Sequence, residues 1–140
     1  MNSQQFISNT AQALRLQSED DAKKVIKIVL STIGKRVKSD ERDDANAQMP
    51  AELDDAFDKD TNWKEKLTGL FSSNQYDFDT LQGMYHKIAD KLQNQDLEYV
   101  NAEMATKVVL TQAKSILSQG EIQDIASQLP KQIEELWERV

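Results

Sequence analysis

Apolar residues recur at helical spacing along most of the chain, and this pattern predicts an all-α protein. The widest apolar stripe lies between residues 19 and 37 and is typical of the central helix of a bundle. Its members are Ala22, Val25, Ile26, Val29, Leu30, Ile33 and Val37. Ser18 stands just before this stripe, and we expect its hydroxyl to cap the helix by accepting a hydrogen bond from the amide of Asp21.

Shorter helices are predicted on both sides of the central one. An amphipathic helix precedes it, and a short acidic helix capped by Ser39 follows it and runs to Gln48. Pro50 is expected at the first position of a fourth helix, where a missing amide has no cost. The spacing of Trp63, Leu67, Leu70 and Phe71 predicts a fifth helix. Residues 72–77 are the best linker candidate.

The apolar pattern then starts again in the second half of the chain. Stripes over residues 81–92 and 100–117 predict two longer helices. The segment Ser118-Gln119-Gly120-Glu121 has the pattern of a capping box, which predicts the start of a short helix. Pro130 is expected to begin the last helix.

A shift of 80 residues aligns residues 22–58 with residues 102–138 without a gap, which predicts an internal repeat. The identical pairs are Ala22/Ala102, Lys27/Lys107, Val29/Val109, Leu30/Leu110, Glu41/Glu121, Asp44/Asp124, Gln48/Gln128 and Pro50/Pro130. The first helices of the two copies align with a shift of 78. We therefore predict two homologous helical units, residues 1–75 and residues 76–140. Each unit is too short to bury a large core alone, so they are expected to pack into one cooperative domain.

The most specific motif in both units is a glutamine, an apolar residue and a proline between the short helix and an apolar-aromatic helix start. The motif residues are Gln48, Met49, Pro50, Gln128, Leu129 and Pro130. In this respect the chain resembles the bacterial family called domain of unknown function 2267, although the segment 58–76 fits its pattern less well. The resemblance implies an all-α fold in two copies, with no established activity and no catalytic residue to carry over.

These glutamine–apolar–proline breaks have a structural and a functional interpretation. Proline ends the short helix and begins the next at a fixed angle, while the glutamine amide can bond to helix-end groups that lack partners. The alternative is that the two breaks frame a groove for a partner.

Composition excludes several classes of chemistry. The chain has no cysteine and a single histidine, which excludes disulfides, thiolate metal sites and paired-histidine sites. The formal net charge of −7 disfavours nucleic acid and anionic membranes. A basic stretch on the central helix is interpreted as a solvated face, with a patch for an anionic partner as the alternative. Its residues are Lys23, Lys24, Lys27, Lys35, Arg36 and Lys38. The start of the chain lacks the features of a signal peptide, and a cytoplasmic protein is expected.

No candidate catalytic, cofactor or metal site meets the geometry that its chemistry requires. His86 has no second histidine, and position 83, where a di-iron bundle would place a glutamate, is glycine. The stretch from Asp58 to Asn62 imitates a calcium loop, but Trp63 stands where that loop needs glycine. The carboxylates considered as general acids stand in runs that are expected to be solvated: Asp54, Asp55, Glu134 and Glu135.

The sequence therefore favours a small soluble helical protein that is not an enzyme and that serves as a protein-interaction or adaptor module. We expect a monomer or weak homodimer without a cofactor. The alternative is a small-ligand-binding protein or enzyme with a pocket between the two units.

Overall fold

The computed structural model describes residues 1–58 and 79–140, which contain α-helices and one 3₁₀ helix but no strand. The helices are α1 (Ser3–Leu14), α2 (Glu19–Gly34), α3 (Ser39–Gln48), the 3₁₀ helix η1 (Ala51–Leu53), α4 (Leu81–Asn94), α5 (Ala102–Ile116), α6 (Gln119–Gln128) and α7 (Lys131–Arg139). The all-α class predicted from the sequence is confirmed. The predicted fifth helix near Trp63 and the linker at residues 72–77 lie outside the described residues.

Helix α2 lies at the centre of the core, as the width of its apolar stripe predicts. It contacts α1, α4 and α5, and its apolar side chains are almost completely buried. One buried apolar cluster contains side chains from both halves of the chain, among them Phe6, Phe57, Ile88 and Trp137. The two halves therefore share a core.

The starts of five of the described helices are capped by side chains of the residue types that favour this position, and the cap of α6 is described with the candidate site. The hydroxyl of Ser18 accepts a hydrogen bond from the amide of Asp21 at 3.1 Å, which confirms the predicted cap of α2. Asn2, Thr80 and Asn101 cap α1, α4 and α5 in the same way. These bonds satisfy first-turn amides that have no partner within the helix.

The predicted starts of three other helices differ from the structure by one residue. Lys38, rather than Ser39, is the N-cap of α3, and it makes no side-chain capping bond. Pro50 and Pro130 are N-cap residues with extended backbone rather than first helical residues. After Pro50 the chain forms only the 3₁₀ helix η1 instead of the expected α-helix.

Within the described parts of the chain, no helix is both long enough and apolar enough to cross a membrane.

Candidate functional site

Helices α3 and α6 carry the same three polar residues at the same spacing: a glutamate, an aspartate three positions later and a glutamine four positions after that. They are Glu41, Asp44 and Gln48 in α3, and Glu121, Asp124 and Gln128 in α6. Residues spaced at i, i+3 and i+7 share one face of a helix. The two helices contact each other, and we call these two surfaces the Glu-Asp-Gln faces.

Each glutamine bonds to the start of the opposite helix. The side-chain carbonyl of Gln48 accepts a hydrogen bond from the backbone amide of Ser118 at 2.8 Å. The side-chain carbonyl of Gln128 accepts one from the backbone amide of Lys38 at 2.7 Å. Ser118 and Lys38 are the N-cap residues of α6 and α3. Each glutamine thus satisfies an amide in the other half of the chain instead of a group at its own break.

This exchange explains why only half of the predicted capping box is present in α6. The hydroxyl of Ser118 accepts from the amide of Glu121 at 3.1 Å, as the pattern predicts. The reciprocal bond would join the Glu121 carboxylate to the Ser118 amide, but that amide already donates to Gln48. The Glu121 side chain instead takes part in a buried contact with α3.

Glu41 and Glu121 form a buried carboxyl pair between the two helices. Glu41 is 8% exposed and Glu121 is 5% exposed. The Gln128 amide nitrogen donates to Oε1 of Glu41 at 3.0 Å. The Oε2 atoms of Glu41 and Glu121 are buried and have no hydrogen-bond partner within residues 1–58 and 79–140. Buried acceptors without a donor are costly, so this pair requires a proton or a cation.

The surroundings of Glu121 favour its protonated form. Burial and the neighbouring carboxylates of Glu41, Asp44 and Asp124 together raise the pKa of Glu121 to about 8. At neutral pH and without a bound cation, Glu121 therefore carries a proton that it can donate to Glu41.

Asp44 extends the pair into a cluster of three carboxylates. One oxygen from each of Glu41, Asp44 and Glu121 lies within 4.8 Å of the other two. Asp44 is exposed, so the cluster has one side toward solvent. An all-oxygen donor set of this kind suits hard divalent cations.

A second feature is a groove of about 410 Å³ between α1 and α5. It is lined by Asn9 and Ala13 from α1 and by Lys107, Val108, Thr111 and Gln112 from α5. Gln112 is buried and donates to the hydroxyl of Thr10 at 2.8 Å. Its side-chain carbonyl oxygen has no hydrogen-bond partner among the described residues.

The glutamine–apolar–proline breaks do not line this groove. Met49 and Leu129 are buried, with 6% and 7% of their surface exposed, and both belong to the shared core. The glutamines of the breaks form the bonds between α3 and α6 described above.

Sequence reasoning missed the buried carboxylates and considered others that are exposed or half-buried: Asp54, Asp55, Glu134 and Glu135. The sequence did contain a signal for the buried carboxylates, because Glu41 is identical to Glu121 and Asp44 to Asp124 in the predicted repeat.

The other candidate residues considered from the sequence lie elsewhere. His86 is exposed. Of the calcium-like stretch that begins at Asp58, residues 59–62 lie outside the described residues. Two lysines of the basic stretch form ion pairs, Lys23 with Glu52 at 3.5 Å and Lys27 with Asp55 at 3.3 Å.

Comparison with known proteins identifies one family whose model matches this chain. The model of the family described as uncharacterized conserved protein DUF2267 matches residues 3–136, which is nearly the whole chain. No curated protein matches the chain.

Proposed function

The chain belongs to the DUF2267 family, and we propose that it is a non-enzymatic protein-interaction module that binds a short apolar segment of a partner protein in the groove between α1 and α5. The observation that carries this proposal is the groove itself, since it is lined by Ala13 and Val108 and by Gln112, whose buried side-chain oxygen lacks a donor among the described residues.

The apolar surface extends beyond the groove along one face of α5. Met104 is 53% exposed and stands four residues before Val108, so the two side chains lie on the same face of the helix. A partner helix with apolar residues one turn apart would match this strip. An exposed apolar strip next to a groove is a feature of interaction surfaces.

The polar groups of the groove and the charge of the chain support a more specific proposal for the partner. The orphaned carbonyl oxygen of Gln112 calls for a hydrogen-bond donor, such as a hydroxyl or amide of the bound segment. The net charge of −7 attracts a partner segment with a positive charge. We therefore propose a basic amphipathic peptide segment as the occupant, and neither nucleic acid nor a membrane.

We attribute the groove to a small residue in α1, at a position where the predicted repeat has a long residue in the second half. The offsets of the predicted repeat relate Ala13 to Lys91 and Gln112 to Thr32. Lys91 is buried, and its amino group donates to the hydroxyl of Thr32 at 3.2 Å. The lysine side chain thus crosses between the helices on that side, whereas Ala13 leaves space beside Gln112.

The remaining parts of the proposal are a cytoplasmic location, a monomeric or weakly dimeric state, and the absence of catalysis. Support for a non-catalytic role comes from the sequence, which has a single histidine and no cysteine.

The proposal can be tested by phage display of amphipathic peptides against the full chain. Ala13→Lys copies the residue of the second half and should fill the groove, while Gln12→Lys adds the same charge at an exposed neighbour. We expect selected peptides to carry apolar residues four positions apart and a net positive charge. Ala13→Lys should weaken their binding at least tenfold, and Gln12→Lys should leave it within about twofold. Peptides that bind both variants equally would contradict the proposal.

A second candidate is a small apolar ligand that carries a hydrogen-bond donor. The volume of about 410 Å³ supports it, because small-molecule sites commonly measure about 300–1,000 Å³. A thermal-shift screen of small amines and alcohols with the same two variants distinguishes the candidates. A saturable shift that disappears in Ala13→Lys, without any groove-dependent peptide, would favour the small ligand.

A further inference from the structure

We propose that Glu41, Asp44 and Glu121 form a binding site for a hard divalent cation of calcium size between α3 and α6. The proposal is independent of the α1–α5 groove, because the site uses different helices and a different chemistry.

Burial of two of the ligands distinguishes this cluster from ordinary surface acids. Glu41 and Glu121 are both more than nine-tenths buried, and each has a buried Oε2 atom without a hydrogen-bond partner in the described chain. Each of the two carboxylates thus has a buried oxygen for which the described residues supply no donor other than a proton shared by the pair. A cation would satisfy both oxygens at once and offset the repulsion between the carboxylates.

The spacing of the oxygens fits a calcium-sized ion. One oxygen from each carboxylate lies within 4.8 Å of the other two. Three oxygens spread evenly around one calcium ion, each about 2.3–2.6 Å from it, are about 4.0–4.5 Å apart, which lies within this limit. The ligands come from both helices, so one ion would bridge the two halves of the chain. Asp44 is exposed, which leaves room for water to complete the coordination.

The surroundings hold the ligands in place. The Gln128 amide donates to Oε1 of Glu41 and leaves its Oε2 for the ion, an outer-shell arrangement that orients a metal ligand. The reciprocal glutamine bonds fix α3 against α6 before any ion arrives. Oxygen donors without imidazole or thiolate favour calcium, manganese or magnesium over zinc or copper.

The test uses the full chain after removal of metals with a chelator. Calcium chloride is titrated by calorimetry at pH 8 in a constant background of potassium chloride, and Mn²⁺ binding is followed by the loss of the free-ion electron paramagnetic resonance signal. We expect one saturable site per chain and a rise in melting temperature with calcium. Asp44→Asn and Glu121→Gln should each weaken binding at least tenfold.

Asp43→Asn is the matched control, because Asp43 is exposed, adjacent to Asp44 and carries the same charge. Its calcium affinity should stay within about twofold of that of the original chain. Asp44 is also exposed, so its variant tests the site even if Glu121→Gln does not fold. The proposal is overturned if the folded chain shows no saturable binding, which leaves the carboxyl pair holding only a proton. Equal weakening by Asp43→Asn and Asp44→Asn also overturns it, since that indicates diffuse attraction by surface charge.

Discussion

At the scale of single residues, the carboxylates of this acidic chain differ sharply in their surroundings. Glu121 faces Glu41 in a buried contact, whereas an acid such as Glu98 is exposed to solvent. Burial and neighbouring negative charges oppose ionisation of Glu121, so its protonated form is favoured in the folded state. Protonation of one side chain is thereby linked to the stability of the fold.

This linkage predicts that the metal-free protein loses stability as pH rises. The folded-state pKa of Glu121 is raised from 4.5 to about 8, so the folded chain holds a proton that the unfolded chain releases in this window. The free energy of unfolding should therefore fall between about pH 4.5 and pH 8, by at most about 1.4 kcal/mol per pH unit from this group. Urea titrations at several pH values in the presence of a chelator measure the slope.

Glu121→Gln should flatten this pH dependence, because the amide is neutral at every pH and can still donate a hydrogen bond to Glu41. Glu98→Gln, at an exposed position, should retain the original slope. If both variants keep the slope of the unmodified chain, Glu121 is not the responsible group.

A second residue-scale prediction concerns the apolar residues before the two prolines. Met49 and Leu129 are buried in the shared core, so Met49→Ala and Leu129→Ala should each lower the free energy of unfolding by about 2–5 kcal/mol. Gln48→Ala removes one hydrogen bond to the Ser118 amide and should cost about 0.5–1.5 kcal/mol. Denaturant unfolding of the three variants checks this order. Neutral effects of both apolar substitutions would show that these side chains do not support the core.

At the scale of elements, apolar periodicity predicted the long helices well but not the ends of the short ones. Periodicity reflects which face is buried, and α2 and α5 bury a large part of their surface. The start of α3 depends instead on a glutamine that lies 90 residues away in the chain. No local pattern contains that information, which is why Ser39 was wrongly expected to be the cap.

Alanine substitutions at two glycines test how tightly the end of α2 and the start of α6 are packed. A Cβ atom added to Gly34, the last residue of α2, would lie 2.0 Å from the carbonyl oxygen of Phe57. Gly34→Ala must displace this backbone, and we expect a loss of about 1–3 kcal/mol in unfolding free energy.

Gly120 lies in the first turn of α6 with nothing within 4 Å of an added Cβ. Gly120→Ala should therefore stabilise the protein by about 0.5 kcal/mol through its higher helix propensity.

Thermal and denaturant unfolding of the two alanine variants, compared with the unmodified chain, measures both effects. A Gly34→Ala protein as stable as the original would show that the end of α2 can move away from Phe57 without cost.

At the scale of the whole molecule, helix packing and hydrogen bonds join the two halves of the chain. Helix α2 packs against α4 and α5, the Glu-Asp-Gln faces join α3 to α6, and Gln112 bonds to Thr10. The sequence repeat identified the residues of the two faces as identical pairs. It could not show that Glu41 and Glu121 are buried, because the side chains of an acidic helix are normally solvated and only the contact between α3 and α6 covers these two.

We predict that neither half folds alone. Fragments 1–75 and 76–140, expressed separately, should lack a sharp melting transition, since each would expose the core surface that the other half covers. Circular dichroism and thermal melts of each fragment, and of the two mixed, test this. A single fragment that melts cooperatively with near-native helicity would contradict the prediction of one cooperative domain.

The reciprocal glutamine bonds also provide a means of observing how the two halves separate. Amides at helix starts usually exchange their hydrogens with solvent quickly, because they lack partners inside the helix. The amides of Lys38 and Ser118 instead donate to side chains from the opposite half, so their exchange requires the contact between α3 and α6 to open. Two positions that are 80 residues apart should therefore exchange at similar, slow rates. Fraying of a single helix would release one of them alone, whereas parting of the halves would release both together.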